Sequence, residues 1–208
     1  GKQEKSAYCS PAVFTHNGLD IFVTQTETYI LGFDANTGEL LWHHLHPNQY
    51  AVQANTPLYK DGMLYIVSGY GKGGVMLKLS EDGKSITELW SNSTLDNRMG
   101  GTVLLNDKIY GSGDKNRSWY IVDWNTGEDL GNTNLFAKGN IIYADGMLYC
   151  YSESGEIALV KPEDNQMTMI SKFNVPYGEL QHWAHLVIHN KRLYVRHGTS
   201  LMVYDIAA

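Results

Sequence analysis

The sequence is poor in cysteine and proline and has no long hydrophobic run, and these shortages exclude several classes of protein. Its 208 residues contain two cysteines, Cys9 and Cys150, too few for a disulfide framework. Because they fall in different units of the repeat described below, we expect two free thiols, with Cys150 packed in a strand. No apolar stretch approaches the roughly 20 residues of a membrane span. Residues 1–5 are polar, and no signal peptide is visible there.

The chain also lacks a concentrated positive charge. Its 16 Lys and Arg are outnumbered by 22 Asp and Glu, which gives a net charge of −6, and both signs are scattered along the sequence. A general nucleic-acid surface needs a basic patch, so we predict no nucleic-acid partner. Long amphipathic helical patterns are absent as well.

Strand and turn residues are abundant, and residues 29–42, Tyr-Ile-Leu-Gly-Phe-Asp-Ala-Asn-Thr-Gly-Glu-Leu-Leu-Trp, show how they are organised. An aromatic and β-branched run is followed by turn residues and a second apolar run, which predicts two strands joined by a tight turn. Residues 119–130 repeat this pattern. A hairpin that recurs together with its turn residues indicates a repeat architecture.

A second signal recurs five times, as a short polar turn followed by a strand that carries an aromatic residue. The last aromatics stand at positions 22, 65, 110, 149 and 194, which are 43, 45, 39 and 45 residues apart. Asp-Gly or Asn-Gly between apolar runs is a strong hairpin signal. Units of four strands that repeat every 40–45 residues, roughly, are typical of β-propeller blades.

The predicted fold is therefore all-β: one β-propeller domain over residues 1–208, with four-stranded antiparallel blades, about five in number. The blades are placed at residues 9–46, 54–93, 99–136, 138–175 and 182–208, and the last lacks its outer strand. Most of the large aromatic residues are expected to fill the core between blades, and Trp42 and Trp90 are expected to be largely buried there. The terminal blades would each expose an apolar face, so we expect further blades or another copy of the chain to cover them.

The repeat resembles that of pyrroloquinoline quinone (PQQ)-like propellers, the quinoprotein alcohol dehydrogenase-like superfamily. In residues 33–42 a strand ends in Asp, the turn carries Thr-Gly and the next strand closes on Trp; residues 123–127 match the turn, but Gly131 replaces the Trp. Residues 55–59, 68–74 and 182–185 are similar to bacterial PQQ-like propeller proteins of unassigned function. The resemblance implies a seven- or eight-bladed propeller, of which this chain is a C-terminal part, in the periplasm or outside the cell.

True dehydrogenases of this superfamily bind PQQ on the propeller axis with calcium or a lanthanide, and use a catalytic Asp and often a vicinal disulfide. This sequence has no adjacent cysteines, and no segment matches the catalytic region. PQQ with calcium is thus a cofactor that the resemblance suggests and the motifs do not support. Our leading hypothesis is a non-enzymatic binding or scaffold module of the bacterial envelope. The alternatives are a fragment of a PQQ-dependent alcohol or sugar dehydrogenase, and a carbohydrate-binding propeller.

Polar residues at the starts of the innermost strands would meet at one mouth of the propeller axis. Convergent polar groups beside an aromatic ring suit a small-molecule site, and Trp183 could stack on a sugar. The alternative is that these groups bond water and one another in the channel. The candidate ligand-binding residues are Ser10, Asn55, Arg98, Lys138, Asn140, His182, Trp183 and His185, with Cys9 and Thr56 beside them.

Other polar motifs carry weaker signals. His44 and His46 share a face of one strand, but no Cys or carboxylate stands at ligand spacing beside them, so no metal site is predicted. Residues 69–74, which are rich in Gly, precede a strand rather than a helix and are expected to form a hairpin. Residues 34–38 resemble a calcium loop but are expected to be a plain turn. His16 and His189 are expected to be exposed in turns.

Overall fold

The computed structural model describes residues 4–207, and in that range it contains nineteen strands and no helix. This confirms the all-β expectation. Residues 1–3 of the polar start and Ala208 of the last expected blade lie outside the described range. The chain divides into two compact units, Gly1–Met99 and Gly100–Ala208, and each is described by itself below.

The first unit consists of two antiparallel four-stranded sheets in which the strands follow chain order. The first sheet contains β1 (Ala12–His16), β2 (Leu19–Gln25), β3 (Tyr29–Asp34) and β4 (Leu40–Leu45). The second contains β5 (Leu58–Lys60), β6 (Met63–Ser68), β7 (Gly73–Leu79) and β8 (Ile86–Asn92). This up-and-down order is that of propeller blades.

The second unit consists of two four-stranded sheets and one three-stranded sheet, again antiparallel and in chain order. They contain β9 (Val103–Leu105), β10 (Lys108–Ser112), β11 (Trp119–Asp123) and β12 (Asp129–Thr133); then β13 (Gly139–Ala144), β14 (Met147–Ser152), β15 (Glu156–Glu163) and β16 (Gln166–Asn174); and finally β17 (Val187–His189), β18 (Arg192–His197) and β19 (Ser200–Asp205). The last sheet lacks a fourth strand within the described residues.

The five recurring turns join the first and second strands of the sheets, and all share one geometry. Both central residues have positive φ in every copy, from Asn17 (46°) and Gly18 (88°) to Asn190 (49°) and Lys191 (59°). This is the type I′ turn, whose twist matches that of the flanking strands. Asn, Asp and Gly are the residues that tolerate it most readily, which explains why they recur at this point of the repeat.

The Asp-x-Asn-Thr-Gly turns between the third and fourth strands are closed by their own aspartates. Oδ1 of Asp34 accepts hydrogen bonds from the backbone N–H groups of Asn36 (2.8 Å) and Thr37 (2.9 Å). Asp123 makes the same two bonds, both at 2.8 Å, in its own turn. The aspartate oxygen that a calcium loop would use is therefore engaged by the turn backbone, as expected for a structural turn.

Each unit has an apolar core between its sheets. In the first unit Trp42, 5 % exposed, joins Ile21, Val23, Leu64 and Leu77, which are fully buried. In the second unit one cluster surrounds Trp119 and Cys150, and another lies between the fourth and fifth sheets. Cys9 and Cys150 are both free thiols, and Cys150 lies buried in β14, as predicted.

Two expectations about individual side chains were wrong. Trp90, in the outermost strand of the second sheet, is only half-buried, and its ring centroid lies 5.7 Å from that of Tyr65. His16 is 9 % exposed: its ring nitrogens lie 3.1 Å from Tyr59 Oη and 2.9 Å from the Ser80 carbonyl. It thus ties the first sheet to the second, whereas His189 is exposed as expected.

The first sheet turns a row of apolar side chains away from its core. Register pairs Val13 with Phe22, Phe22 with Phe33, and Phe33 with Leu40. Val13 and Leu40 are 65 % and 49 % exposed. The three-stranded sheet of the second unit has a comparable row, in which Val187 pairs with Tyr194 and Tyr194 pairs with Val203.

Candidate functional site

Asn55 lies at the start of the second sheet and holds backbone, although the sequence suggested a ligand-binding role. It is 2 % exposed. Its Nδ2 donates to the carbonyl oxygens of Asn97 (2.7 Å) and Val67 (3.2 Å). Its own backbone carbonyl accepts a hydrogen bond from Gln25 Nε2 at 2.8 Å. Asn55 therefore connects the first sheet, the second sheet and the segment that leaves the second sheet.

Asn140 plays the matching part in the second unit. It is 2 % exposed, and its Nδ2 donates to the Ala184 carbonyl at 3.1 Å, in the segment that leads into β17. Its Oδ1 is buried and accepts no hydrogen bond from the described residues. In both units an asparagine at the start of a sheet thus binds the backbone that leads towards the next sheet.

Replacing Asn55 by alanine should lower the free energy of unfolding by about 1–3 kcal/mol, because two buried carbonyl oxygens lose a donor. Urea denaturation followed by tryptophan fluorescence would measure the loss. Asn125 is an exposed turn asparagine, and the Asn125→Ala control should change stability by less than about 0.5 kcal/mol. Equal effects of the two substitutions would show that Asn55 does not hold the sheets together.

Lys138 is engaged by two carboxylates. Its Nζ is hydrogen-bonded to Asp114 and lies 3.7 Å from Glu153 Oε2. The lysine side chain is 17 % exposed, and those of Asp114 and Glu153 are 11 % and 25 % exposed. The ammonium group of Lys138 is thus engaged by carboxylates of its own unit.

His182 sits in a small group of rings at the start of the fifth sheet. Its Nδ1 lies 2.5 Å from Tyr151 Oη, and its ring stacks on that of His197 with the centroids 3.6 Å apart. Burial, and then the neighbouring His197, lower the pKa of His182. Burial raises the pKa of Tyr151 to about 12. At neutral pH this pair is therefore an uncharged hydrogen bond that fixes the segment ahead of β17.

Trp183 and His185 behave differently from His182. Trp183 is 45 % exposed and His185 is also exposed. A residue larger than glycine at Gly101 would place its Cβ 3.4 Å from the His185 ring. Of the candidate residues in the second unit, these two are the most accessible to a ligand.

Arg98 belongs to a group that the sequence did not reveal, which we call the aromatic–arginine cluster and define as Tyr50, Tyr70 and Arg98. The Tyr50 and Tyr70 ring centroids are 4.5 Å apart, and Arg98 Cζ lies 6.0 Å from the Tyr70 centroid, at the limit for a cation–π contact. Tyr50 is 61 % exposed. Ser10, the remaining candidate of this unit, is also exposed, beside a half-buried Cys9.

The backbone around this cluster is closely fitted. A Cβ at Gly69 would stand 2.6 Å from Arg98 Cα, so only glycine lets the β6–β7 turn approach the arginine. Tyr70 has a positive φ of 62°, and Ala51 one of 55°. The buried Asp96 accepts a hydrogen bond from the Gly71 backbone at 2.8 Å. The cluster was missed because its members come from three separate loops; the only hint in the sequence was a tyrosine in the Gly-rich turn.

The described residues do not fit the quinone and calcium that the superfamily suggests. Among residues 4–207 no group of three or more His, Cys, Asp or Glu side chains is arranged to hold a metal ion. The two cysteines are not adjacent in the sequence. Buried Asp96 binds backbone instead.

No helix that is long and apolar enough to span a membrane occurs in the described part of the chain.

Comparisons with solved structures identify the fold. BamB from Moraxella catarrhalis superposes with a TM-score of 0.71 at 17 % identity, over 95 % of this chain and 58 % of that one. Sqt1 from Saccharomyces cerevisiae superposes with a TM-score of 0.71 at 13 % sequence identity, over 93 % of this chain and 59 % of that one. A europium-containing methanol dehydrogenase superposes with a TM-score of 0.60 at 13 % identity, over 80 % of this chain and 42 % of that one. At such low identity these likenesses show the fold alone, which is that of a β-propeller.

This chain spans 58 % of the length of the Moraxella protein and 59 % of the yeast protein. Comparison with curated protein sequences gives no match. A sequence model of one PQQ-like propeller family, described as outer membrane protein assembly factor BamB, matches residues 5–170. Since that match covers most of the 208 residues, the chain belongs to this BamB family of PQQ-like β-propellers.

Proposed function

We propose that this chain is part of a non-enzymatic scaffold propeller of the bacterial envelope that binds a protein partner through the aromatic–arginine cluster. The description of its family, an assembly factor of outer membrane proteins, supports a role in the periplasm. The observation that carries the proposal is the exposed Tyr50 ring packed against Tyr70, with Arg98 over that ring.

Tyrosine and arginine are the residue types that contribute most to binding energy at protein interfaces. In this cluster the Tyr70 ring, on which Tyr50 packs, is presented by a turn that Gly69 and Asp96 hold in place, so little ordering of that turn is required on binding. By contrast, Asn55 is occupied with backbone. The exposed aromatic surface is therefore better suited to a partner than the buried polar residue beside it.

The charge near the cluster indicates what kind of segment it binds. Arg98 and the exposed Lys72, in the same turn as Tyr70, are both cationic, although the chain as a whole is acidic. A matching peptide carries an aromatic side chain for the tyrosines and a carboxylate that is attracted by this positive charge. Strands of outer-membrane barrels, which alternate apolar and polar residues and carry aromatic girdles, have this composition.

Fluorescence anisotropy with labelled ten-residue strand peptides, some with and some without a Phe and an Asp, would test the proposal. The Phe/Asp peptide should bind, and Tyr50→Ala or Arg98→Gln should weaken it by about tenfold or more. Tyr177 is exposed to a similar degree, 67 %, in a loop of the other unit, so Tyr177→Ala is the matched control. Binding that is unchanged in the Tyr50 and Arg98 variants, or absent altogether, would refute this function.

Carbohydrate binding is a second candidate, and the exposed Trp183 is the observation that favours it. A sugar ring that stacks on its indole should change tryptophan emission in the wild type and not in Trp183→Ala.

The third candidate, a quinone-dependent dehydrogenase, rests on the fold alone. Reduction of a redox dye in the presence of PQQ, calcium and an alcohol would establish dehydrogenase activity. We expect no dye reduction.

The apolar rows on the first and last sheets lead to a prediction about association. We propose that further blades of the same propeller cover them, since the solved BamB chain is considerably longer than this one. Alone, the chain should self-associate in light scattering, because burial of apolar surface contributes about 25 cal/mol per Å². Val13→Glu and Val203→Glu should reduce this association, whereas Leu89→Glu, 45 % exposed in β8, should not. A monomeric wild-type chain would contradict the prediction.

A further inference from the structure

The first unit contains a polar cleft of about 230 Å³ that is lined by none of Tyr50, Tyr70 and Arg98. It opens between the end of β4 and the strands β7 and β8. We call it the His46 cleft, and its polar lining consists of His44, His46, Lys72, Glu88, Ser91, Asn92 and Ser93.

His46 is a buried residue in the wall of this cleft, and its backbone is held on both sides. Its backbone N–H donates to the Thr28 carbonyl at 2.9 Å, and its carbonyl accepts a hydrogen bond from Gln53 Nε2 at 2.7 Å. The residue is 2 % exposed, and Nε2 has no hydrogen-bond partner among the described residues. A buried polar atom without a partner is costly, so a ligand that supplies one gains affinity.

The ring of His46 is uncharged at neutral pH. Burial, followed by the positive charge of Lys72, lowers its pKa to about 3, against the opposing effect of a hydrogen bond with the Gly73 backbone. The hydrogen bond with Gly73 raises the pKa of His46, so the ring nitrogen in this bond donates its hydrogen to the Gly73 backbone carbonyl. Nε2 is then the acceptor of the neutral imidazole, and it requires a donor such as an ammonium group.

The remaining charges of the cleft balance one another. Glu88 contributes one carboxylate, whose Oε2 lies 3.3 Å from His44 Nε2, and Lys72 contributes one ammonium. Burial lowers the pKa of His44, so it adds no full charge at neutral pH. A ligand that complements one cation, one carboxylate and one neutral acceptor carries both an ammonium and a carboxylate group.

We propose that the His46 cleft binds a free amino acid or a zwitterion of similar size. The ammonium group donates to His46 Nε2 and pairs with Glu88, while the carboxylate pairs with Lys72. This site uses none of the residues of the aromatic–arginine cluster, and it shares with the proposed protein-binding function only the charge of Lys72. Glu88→Gln therefore tests the cleft without altering a residue used for the protein-binding function.

Screening the standard free L-amino acids by thermal shift, followed by titration calorimetry on any that raise the melting temperature, would test the proposal with the intact chain. At least one amino acid should bind, and its N-acetyl amide, which lacks both charges, should not. Glu88→Gln and Lys72→Met should each weaken binding by about tenfold or more. Both residues lie at the surface, so these variants are expected to fold; His46→Gln is a third variant with the same expected loss.

Lys84→Met, in an exposed turn outside the cleft, is the matched control and should bind like the wild type. The proposal is overturned if no free amino acid binds. It is equally overturned if the Glu88 and Lys72 variants bind like the wild type, or if the N-acetyl amide binds as tightly as the free amino acid. Binding of Zn²⁺ in the same calorimeter, with no response to amino acids, would identify a metal site in its place.

Discussion

Replacing Trp42 by alanine should lower the free energy of unfolding by about 3–5 kcal/mol, the usual loss for a large buried side chain. Trp42 is 5 % exposed in the core between the first and second sheets. Its indole lies on Gly32 of the neighbouring strand, where a Cβ would stand 2.2 Å from the ring. Its Nε1 donates to the Gly83 carbonyl at 3.2 Å, so the substitution removes a hydrogen bond between the sheets as well.

Urea denaturation monitored by circular dichroism would measure this loss. Trp90→Ala is the matched control: its ring is half-buried beside Tyr65, and its removal should cost clearly less. Gly32→Ala should also destabilise the protein, since the new methyl group would displace the indole. A Trp42 variant that melts like the wild type would mean that the first two sheets do not pack through this residue.

Lowering the pH from 7 to 5 should cost the protein about 2 kcal/mol of stability through His46 alone. The pKa of His46 is about 3 in the folded chain against an ordinary 6.5, because the ring is buried and lies near Lys72. Between these values the unfolded chain binds a proton that the folded chain does not, so stability falls as the pH falls below 6.5. Above pH 6.5 this contribution is fully present.

The comparison of His46→Gln with the wild type isolates this effect. The variant should show a flatter dependence of stability on pH between 7 and 5, whereas His43→Gln, at an exposed position of β4, should retain the wild-type slope. Carboxylates such as Asp34, whose pKa is lowered by the backbone of Thr37 and then of Asn36, lose their contribution only at lower pH. Identical slopes for the wild type and His46→Gln would show that the ring is accessible to protons.

The sequence determined the repeat because its signals are local. A type I′ turn needs Asn, Asp or Gly within two positions, and Asp34 closes its own turn through bonds to residues two and three places on. Alternating apolar residues then decide which face of each strand is buried. The class of fold, the strand order within each sheet and the buried positions of Trp42 and Cys150 all follow from such short-range patterns.

Only the tertiary structure decided what the polar residues do. The sequence placed Asn55 and Arg98 among candidate ligand-binding residues, and the structure adds that Asn55 bonds the carbonyl of Asn97, 42 positions later, and that Arg98 packs over Tyr70. His16 was expected to be exposed and binds Ser80, which is 64 positions away. His46, in contrast, has a buried ring nitrogen without a partner among the described residues, and it lines a cleft between strands of two sheets. Hydrogen bonds and burial of this kind depend on how separate strands are brought together, and side-chain type within a local window does not specify that.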